Sequence, residues 1–205
     1  MHNLYVKDIL DKCNGKLITG NKDLILTNFS KDTRVINKKD TYIAIKGEVF
    51  DGNKFIEEAF SKGASCCIVE HLNNIDINKY KDKTIVQVKD SIKCLQTLAK
   101  YKRSLYNIPV VAITGSVGKT STKDLVYEVV NKKYKTLKPT GNLNNHIGLP
   151  LTILGLKDHE ALVVEMGMNH LKEISLLTNI AKPTIAIITN IGTAHIGNLG
   201  SRENI

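Results

Sequence analysis

The order of apolar and polar positions divides this chain into short, alternating elements. In residues 4–13 the apolar positions Leu4, Ile9 and Leu10 predict a short helix, which Asn14-Gly15 turns into the run Lys16-Leu17-Ile18. Residues 24–29 read as a strand, followed by the polar cluster Ser30-Lys31-Asp32-Thr33-Arg34 and a second strand over 41–45. Lys46-Gly47 opens a loop that runs to Asp51-Gly52, and Asn53 is expected to cap a helix through Phe60, with Phe55, Ile56, Ala59 and Phe60 on one face. Strands follow at 65–70 and 84–88, separated by a polar surface loop over 73–83. Ile92, Leu95, Leu98, Ala99 and Leu105 suit one long helix over 90–106, and a domain boundary belongs near Tyr106.

The second half opens on a β-branched run from Ile108 to Thr114, a glycine-bracketed turn, and a helix over 119–131. Strand-like runs recur at 160–165 and 184–191, with helical stretches near 146–154 and 170–179 between them. Such alternation predicts a parallel, doubly wound sheet, whose ligands gather at the carboxyl ends of the strands. Glu165 ends one strand, Asn190 ends another and His195 follows shortly after, so all three should share an edge with the turn after Thr114. The fold class is therefore α/β: a small mixed α/β domain over residues 1–106, then a parallel-sheet domain over 107–205.

Composition narrows the function classes. With 205 residues and 42% hydrophobic content the chain can bury a substantial core. No apolar run approaches the roughly 20 residues of a membrane helix, and the amino terminus lacks a signal-peptide pattern, so a cytoplasmic protein without membrane insertion is expected. The net charge of +9 comes from 29 basic against 20 acidic residues, mostly scattered lysines without aromatic interleaving or an arginine stripe. An anionic small substrate accounts for that surplus, and nucleic acid is not an expected partner. Cys13, Cys66, Cys67 and Cys94 have no metal spacing and read as reduced core residues.

The candidate chemistry centres on Gly115-Ser116-Val117-Gly118-Lys119-Thr120-Ser121. The two glycines let backbone N–H groups turn inward, the new helix adds partial positive charge, Lys119 can reach outer phosphates, and Thr120 can ligate magnesium. Only two residues separate Gly115 from Gly118-Lys119, where the usual phosphate loop has four. The position directly between a buried strand and a helix nevertheless predicts a triphosphate site. Magnesium takes oxygen ligands along with nucleotide phosphates, which Thr120 and Glu165 could supply; His195 is a candidate for a second ion or a phosphate contact. Asn142, Asn144 and Asn145, beside Gly141 and Gly148, are ordinary turn chemistry that also offers neutral donors and acceptors to an amide- or sugar-rich substrate.

Taken together, Thr114-Gly-Ser-Val-Gly-Lys-Thr120, Thr140-Gly-Asn-Leu-Asn-Asn-His-Ile-Gly-Leu-Pro-Leu-Thr152, Glu165-Met-Gly-Met-Asn-His170 and Thr189-Asn-Ile-Gly-Thr-Ala-His195 resemble the Mur ligases of peptidoglycan synthesis. Asp32-Thr-Arg34 and residues 44–55 resemble that family's UDP-substrate domain. The resemblance implies ATP-dependent amide ligation through an acyl phosphate, with ATP and Mg2+ as cofactors, by a monomer. UDP-N-acetylmuramoyl-tripeptide and D-alanyl-D-alanine are the implied substrates. Alternatives are addition of the third stem amino acid to the UDP-muramoyl-dipeptide, or a non-catalytic nucleotide-sugar module. It further implies catalytic roles for Lys119, Asn142, Asn145 and His195, metal binding by Thr120, Glu165 and His195, and UDP-substrate contacts from Ser30, Asp32, Thr33, Arg34, Lys46, Gly47, Asn142, Asn144 and Asn145. Two departures stand out. Lys172 occupies a position where the family usually has glycine, and the family continues beyond the position of Ile205, so residues 1–205 are expected to correspond to a fragment that does not turn over alone.

Overall fold

The computed structural model describes residues 2–72 and 75–205; of the polar loop expected over 73–83, Asn73 and Asn74 therefore lie outside the described residues, as does Met1. Two compact units are present, His2–Leu98 and Ala99–Ile205.

The first unit is built on a six-stranded mixed sheet of order β1-β3-β4-β5-β6-β2. Its strands are β1 (Leu4–Tyr5), β2 (Lys16–Thr19), β3 (Ile25–Ser30), β4 (Asp40–Ile43), β5 (Cys66–Val69) and β6 (Thr84–Gln87). The four central strands are parallel, and the two short edge strands pair antiparallel. β4 and β5 are buried along their whole length, and β5 accordingly reads as an unbroken apolar run rather than an alternating one. Tyr42, Ile56, Ala59, Phe60, Cys67 and Ile85 pack into one cluster of this core, and the Tyr42 hydroxyl is buried with its proton on the Gly52 carbonyl at 2.9 Å.

Three local expectations are corrected here. The helix expected from Leu4 begins at Val6 as α1 (Val6–Cys13), because Leu4 and Tyr5 are drawn into the sheet opposite Leu26 and Ile25; Asp8 caps the start by accepting from Tyr5 N at 2.7 Å. Asn53 is not the cap of the next helix. Asp51 has the extended backbone a cap requires and accepts from Asn53 N at 3.0 Å, opening a 3-10 turn (Gly52–Phe55) that leads into α2 (Ile56–Ser61). The fully buried Asn53 side chain instead accepts from Glu70 N at 2.9 Å, tying this turn to the end of β5. Cys13, at the last turn of α1, is half-exposed rather than part of the core, while Cys66, Cys67 and Cys94 are buried, and all four are free thiols.

The unit boundary falls inside α3 (Ser91–Ser104). Beyond it lies an all-parallel sheet of order β10-β7-β9-β8: β7 (Val110–Thr114), β8 (Thr136–Leu137), β9 (Ala161–Glu165) and β10 (Ile185–Ile188). Helices α4 (Lys119–Val130), α5 (Gly148–Leu154), α6 (Glu173–Ala181) and α7 (Ile196–Leu199) separate or follow the strands. β8 had no signal in the sequence, since two residues flanked by lysines carry no period. The strand expected over 184–191 stops at Ile188, and the residues after it turn back onto β7: Thr189 N donates to Thr114 O at 2.9 Å. The register sets Glu165 beside Ile113 and Ile188 beside Thr114, so three strand ends share one edge. Among the described residues no helix is long and apolar enough to cross a membrane.

Lys172 has φ 71 at the start of α6, a left-handed conformation in which a Cβ is strained. That explains why a glycine suits this position. Lys172→Gly should raise the unfolding free energy of the second unit by about 0.5–1 kcal/mol, read by denaturant titration; a loss of stability would mean the lysine side chain compensates for its backbone.

Candidate functional site

At the carboxyl edge of the parallel sheet, Thr114 hands the chain to Gly115 at φ 136, and Gly118 at φ 81 starts α4. The first intrahelical bond runs from Thr122 N to Gly118 O at 3.0 Å, so the N–H groups of Lys119, Thr120 and Ser121 precede any helical acceptor and point to the loop mouth. The Lys119 ammonium folds over the loop onto the carbonyls of Gly115 at 2.7 Å and Ser116 at 3.3 Å. A cavity of about 280 Å³ opens here, with Gly115, Ser116, Lys119, Asn190 and His195 among its lining.

The loop is held by the segment after β10. Asn190 Oδ1 accepts from Ser116 N at 3.1 Å and Val117 N at 3.0 Å, the Thr189 hydroxyl donates to Val117 O at 2.6 Å, and Ser116 Oγ accepts from Gly192 N at 2.8 Å. Two loop N–H groups expected to face phosphate are thus occupied by an asparagine. These stitching roles of Thr189, Asn190 and Gly192 were missed; the only trace in the sequence is a polar, glycine-containing stretch at the end of an apolar run.

Beside the loop, Glu165 is 3% exposed. Its Oε2 accepts from Thr120 Oγ1 at 2.8 Å and its Oε1 from Asn144 Nδ2 at 2.8 Å. Among the described residues the partners of this buried carboxylate are a hydroxyl and an amide, both neutral, and its oxygen atoms suit a hard cation. Among the described residues no group of three or more His, Cys, Asp or Glu side chains forms a metal cage. Asn145 is used locally: its Oδ1 accepts from Gly148 N at 2.8 Å and starts α5. Asn142 is exposed on the same turn, its carbonyl accepting from Asn144 N at 2.9 Å.

In the first unit a separate cleft of about 520 Å³ is lined by Asp32, Thr33, Arg34, Phe50, Phe55 and Glu58, among others. The Arg34 guanidinium meets Asp32 with two parallel bonds, Nε to Oδ1 at 2.9 Å and Nη2 to Oδ2 at 2.7 Å. Those bonds, with the Arg34 N–H, pull the Asp32 carboxyl down to about 2, so it is ionised throughout the neutral range. With the Arg34 side chain 83% exposed the pair contributes little to stability, and the fork is presented to solvent. Ser30 Oγ accepts from Asp32 N at 3.1 Å, and Thr33 Oγ1 donates to Glu58 at 3.0 Å. Lys46 and Gly47 lie on the neighbouring turn, where Gly47 N bonds Phe50 O at 2.7 Å; Phe50 stacks on Phe55 with centroids 4.8 Å apart. The aromatic pair was not singled out from sequence.

Residues 27–103 match the description "Mur ligase family, catalytic domain" and residues 113–205 match "Mur ligase middle domain". The chain belongs to the Mur ligase family. It is 39% identical over 202 residues to the UDP-N-acetylmuramoyl-tripeptide--D-alanyl-D-alanine ligase of Bacillus subtilis (strain 168), covering 98% of this chain and 44% of that protein. Among solved structures, a crystal structure of MurF from Acinetobacter baumannii superposes with a TM-score of 0.86 at 31% identity, covering 100% of this chain and 44% of that one. MurF ligase from Thermotoga maritima in complex with ADP gives 0.77 at 37% identity, covering 90% of this chain and 42% of that one. The chain thus spans less than half the length of these relatives.

Proposed function

We propose that this chain carries the substrate- and ATP-binding parts of a ligase that joins D-alanyl-D-alanine to UDP-N-acetylmuramoyl-tripeptide in peptidoglycan precursor synthesis, acting as a cytoplasmic monomer. The observation that carries this reading is the phosphate loop with Lys119 beside the buried Glu165 carboxylate, which Thr120 and Asn144 hold, in a chain 39% identical to the Bacillus subtilis ligase. Residues 1–106 are assigned the UDP-muramoyl substrate and residues 107–205 the nucleotide, for which the ADP-bound Thermotoga relative is the supporting case.

A carboxylate at neutral pH is a poor electrophile. Transfer of the terminal phosphoryl group of ATP to the tripeptide carboxylate gives an acyl phosphate and ADP; the amine of D-alanyl-D-alanine then attacks the acyl carbon, and phosphate leaves from the tetrahedral adduct to give the amide. Lys119 and the first turn of α4 bind and orient the phosphates. Thr120 and Glu165 would hold Mg2+, with Asn144 fixing the Glu165 carboxylate and His195 assigned to a second ion. When bound, the ion neutralises charge on the transferred group. Asn142 and Asn145 are assigned to the reaction centre. Arg34, with Ser30, Asp32, Thr33, Lys46 and Gly47, is assigned to the UDP-substrate, where its fork can exchange the Asp32 carboxylate for a diphosphate.

Calorimetry tests the assignment. Lys119→Ala should weaken Mg·ATP binding by at least about 10-fold, the loss of one charge-assisted contact, and leave UDP-muramoyl-tripeptide affinity unchanged. Equal ATP affinity for both proteins would remove the phosphates from this loop. Tighter binding of the UDP-muramoyl-dipeptide than of the tripeptide would favour the ligase that adds the third stem residue.

A further inference from the structure

Away from both clefts, Cys13 at the end of α1 faces Cys94 in the first turn of α3, 81 positions later in the chain. The Cys13 thiol donates to the Cys94 backbone carbonyl at 3.7 Å. They differ in access, since Cys13 is half-exposed and Cys94 is 2% exposed. Both line a surface cleft of about 440 Å³ together with Lys12, Lys89, Asp90 and Lys93. A partly accessible thiol bonded to the backbone of a second, buried cysteine, both in a cleft that three lysines also line, suits a pair of peroxidatic and resolving cysteines.

We propose that Cys13 and Cys94 form a hydroperoxide-responsive dithiol that closes to a disulfide. The Cys13 thiolate attacks the terminal oxygen of a hydroperoxide; the O–O bond breaks, the sulfur becomes a sulfenic acid, and the alkoxide leaves with a proton as the alcohol, or as water when the oxidant is hydrogen peroxide. Cys94 sulfur then attacks the Cys13 sulfur, the S–S bond forms, the S–O bond breaks, and hydroxide leaves as water with the Cys94 proton. Two thiols are oxidised and one hydroperoxide is reduced. Its side-chain interaction with Cys94 holds the Cys13 thiol below its ordinary range, against the opposing effect of burial, and the same interaction with burial pushes Cys94 up. Cys66 and Cys67 form the internal contrast: both are fully buried, and burial pushes the Cys66 thiol up to about 12. A Cys13–Cys94 bridge would close nearly the whole of the first unit into one loop, which restrains its unfolded state.

The test is treatment of the purified, reduced protein with stoichiometric hydrogen peroxide at neutral pH. Titratable thiols should fall from the four present to two, the non-reducing peptide map should join the Cys13 and Cys94 peptides, and the unfolding midpoint of the first unit should rise by at least about 5 °C and return with dithiothreitol. Cys94→Ser should leave a sulfenic acid on Cys13 that dimedone traps, and Cys13→Ser should abolish the reaction. Four surviving thiols, a Cys66–Cys67 or intermolecular bridge, or dimedone labelling elsewhere would overturn the proposal. The wild-type peptide map decides it even where a serine variant does not fold.

Discussion

Arg103→Ala should unfold the second unit more readily by about 3–5 kcal/mol, the range for leaving buried partners of a charge unsatisfied. Arg103 is 7% exposed, and its guanidinium donates to four backbone carbonyls: Ala181 at 2.8 Å, Tyr106 at 2.6 Å, and Ile108 and Lys182 at 3.3 Å each. Tyr106 and Ile108 belong to the segment entering β7, and Ala181 and Lys182 to the end of α6, just before β10. One side chain therefore fixes how these two parallel strands start beside each other. Losing it strands four carbonyls in a site too apolar to hydrate them cheaply, and burial already holds the guanidinium below its ordinary pKa without discharging it. Arg103→Lys should recover only part of the loss, because an ammonium is a point donor and cannot span the four acceptors. The measurement is guanidinium unfolding with amide exchange at Val110 and Thr184, which pair across the same strand starts. A loss below 1 kcal/mol with unchanged exchange would show that the strands find their register without the arginine.

The second large effect is expected at the opposite edge of that sheet. Gly115→Ala should lower Mg·ATP affinity by at least about 30-fold, equivalent to about 2 kcal/mol. At φ 136 the backbone is in a region that favours glycine, and a Cβ would sit 2.1 Å from the Thr189 hydroxyl oxygen and 3.0 Å from Asn190 N and O. The segment 189–190 must then withdraw, and its bonds to Ser116 and Val117 go with it. Gly141→Ala is the matched control: its φ of 62 also carries strain, but no atom lies within 4 Å of the added Cβ, so nucleotide affinity should stay within threefold of wild type. If Gly115→Ala binds as well as Gly141→Ala does, the loop does not depend on its seat against Thr189 and Asn190.

What the sequence determined alone was whatever local chemistry dictates. The β-branched run into Gly115, the glycine at the start of α4 and the lysine one position on define strand, loop and helix within a dozen residues, because turn conformation and helix starts depend on neighbours in the chain. The alternation of runs likewise predicted a parallel sheet with Glu165 and the segment after β10 on the loop's edge, and Ser30, Asp32, Thr33 and Arg34 as one local cluster. Tertiary structure decided the partners. Asn190 takes the N–H groups of residues 73 and 74 positions earlier, Asn144 turns to Glu165, and Leu4 leaves a helical pattern for a strand opposite Leu26. No periodicity encodes these pairings, since each depends on the strand order β10-β7-β9 or on the pairing of a distant edge. Arg103 is the extreme case: on a helix an arginine reads as a solvated charge, and only the closure of β7 against β10 surrounds it with carbonyls that accept its N–H groups in place of water.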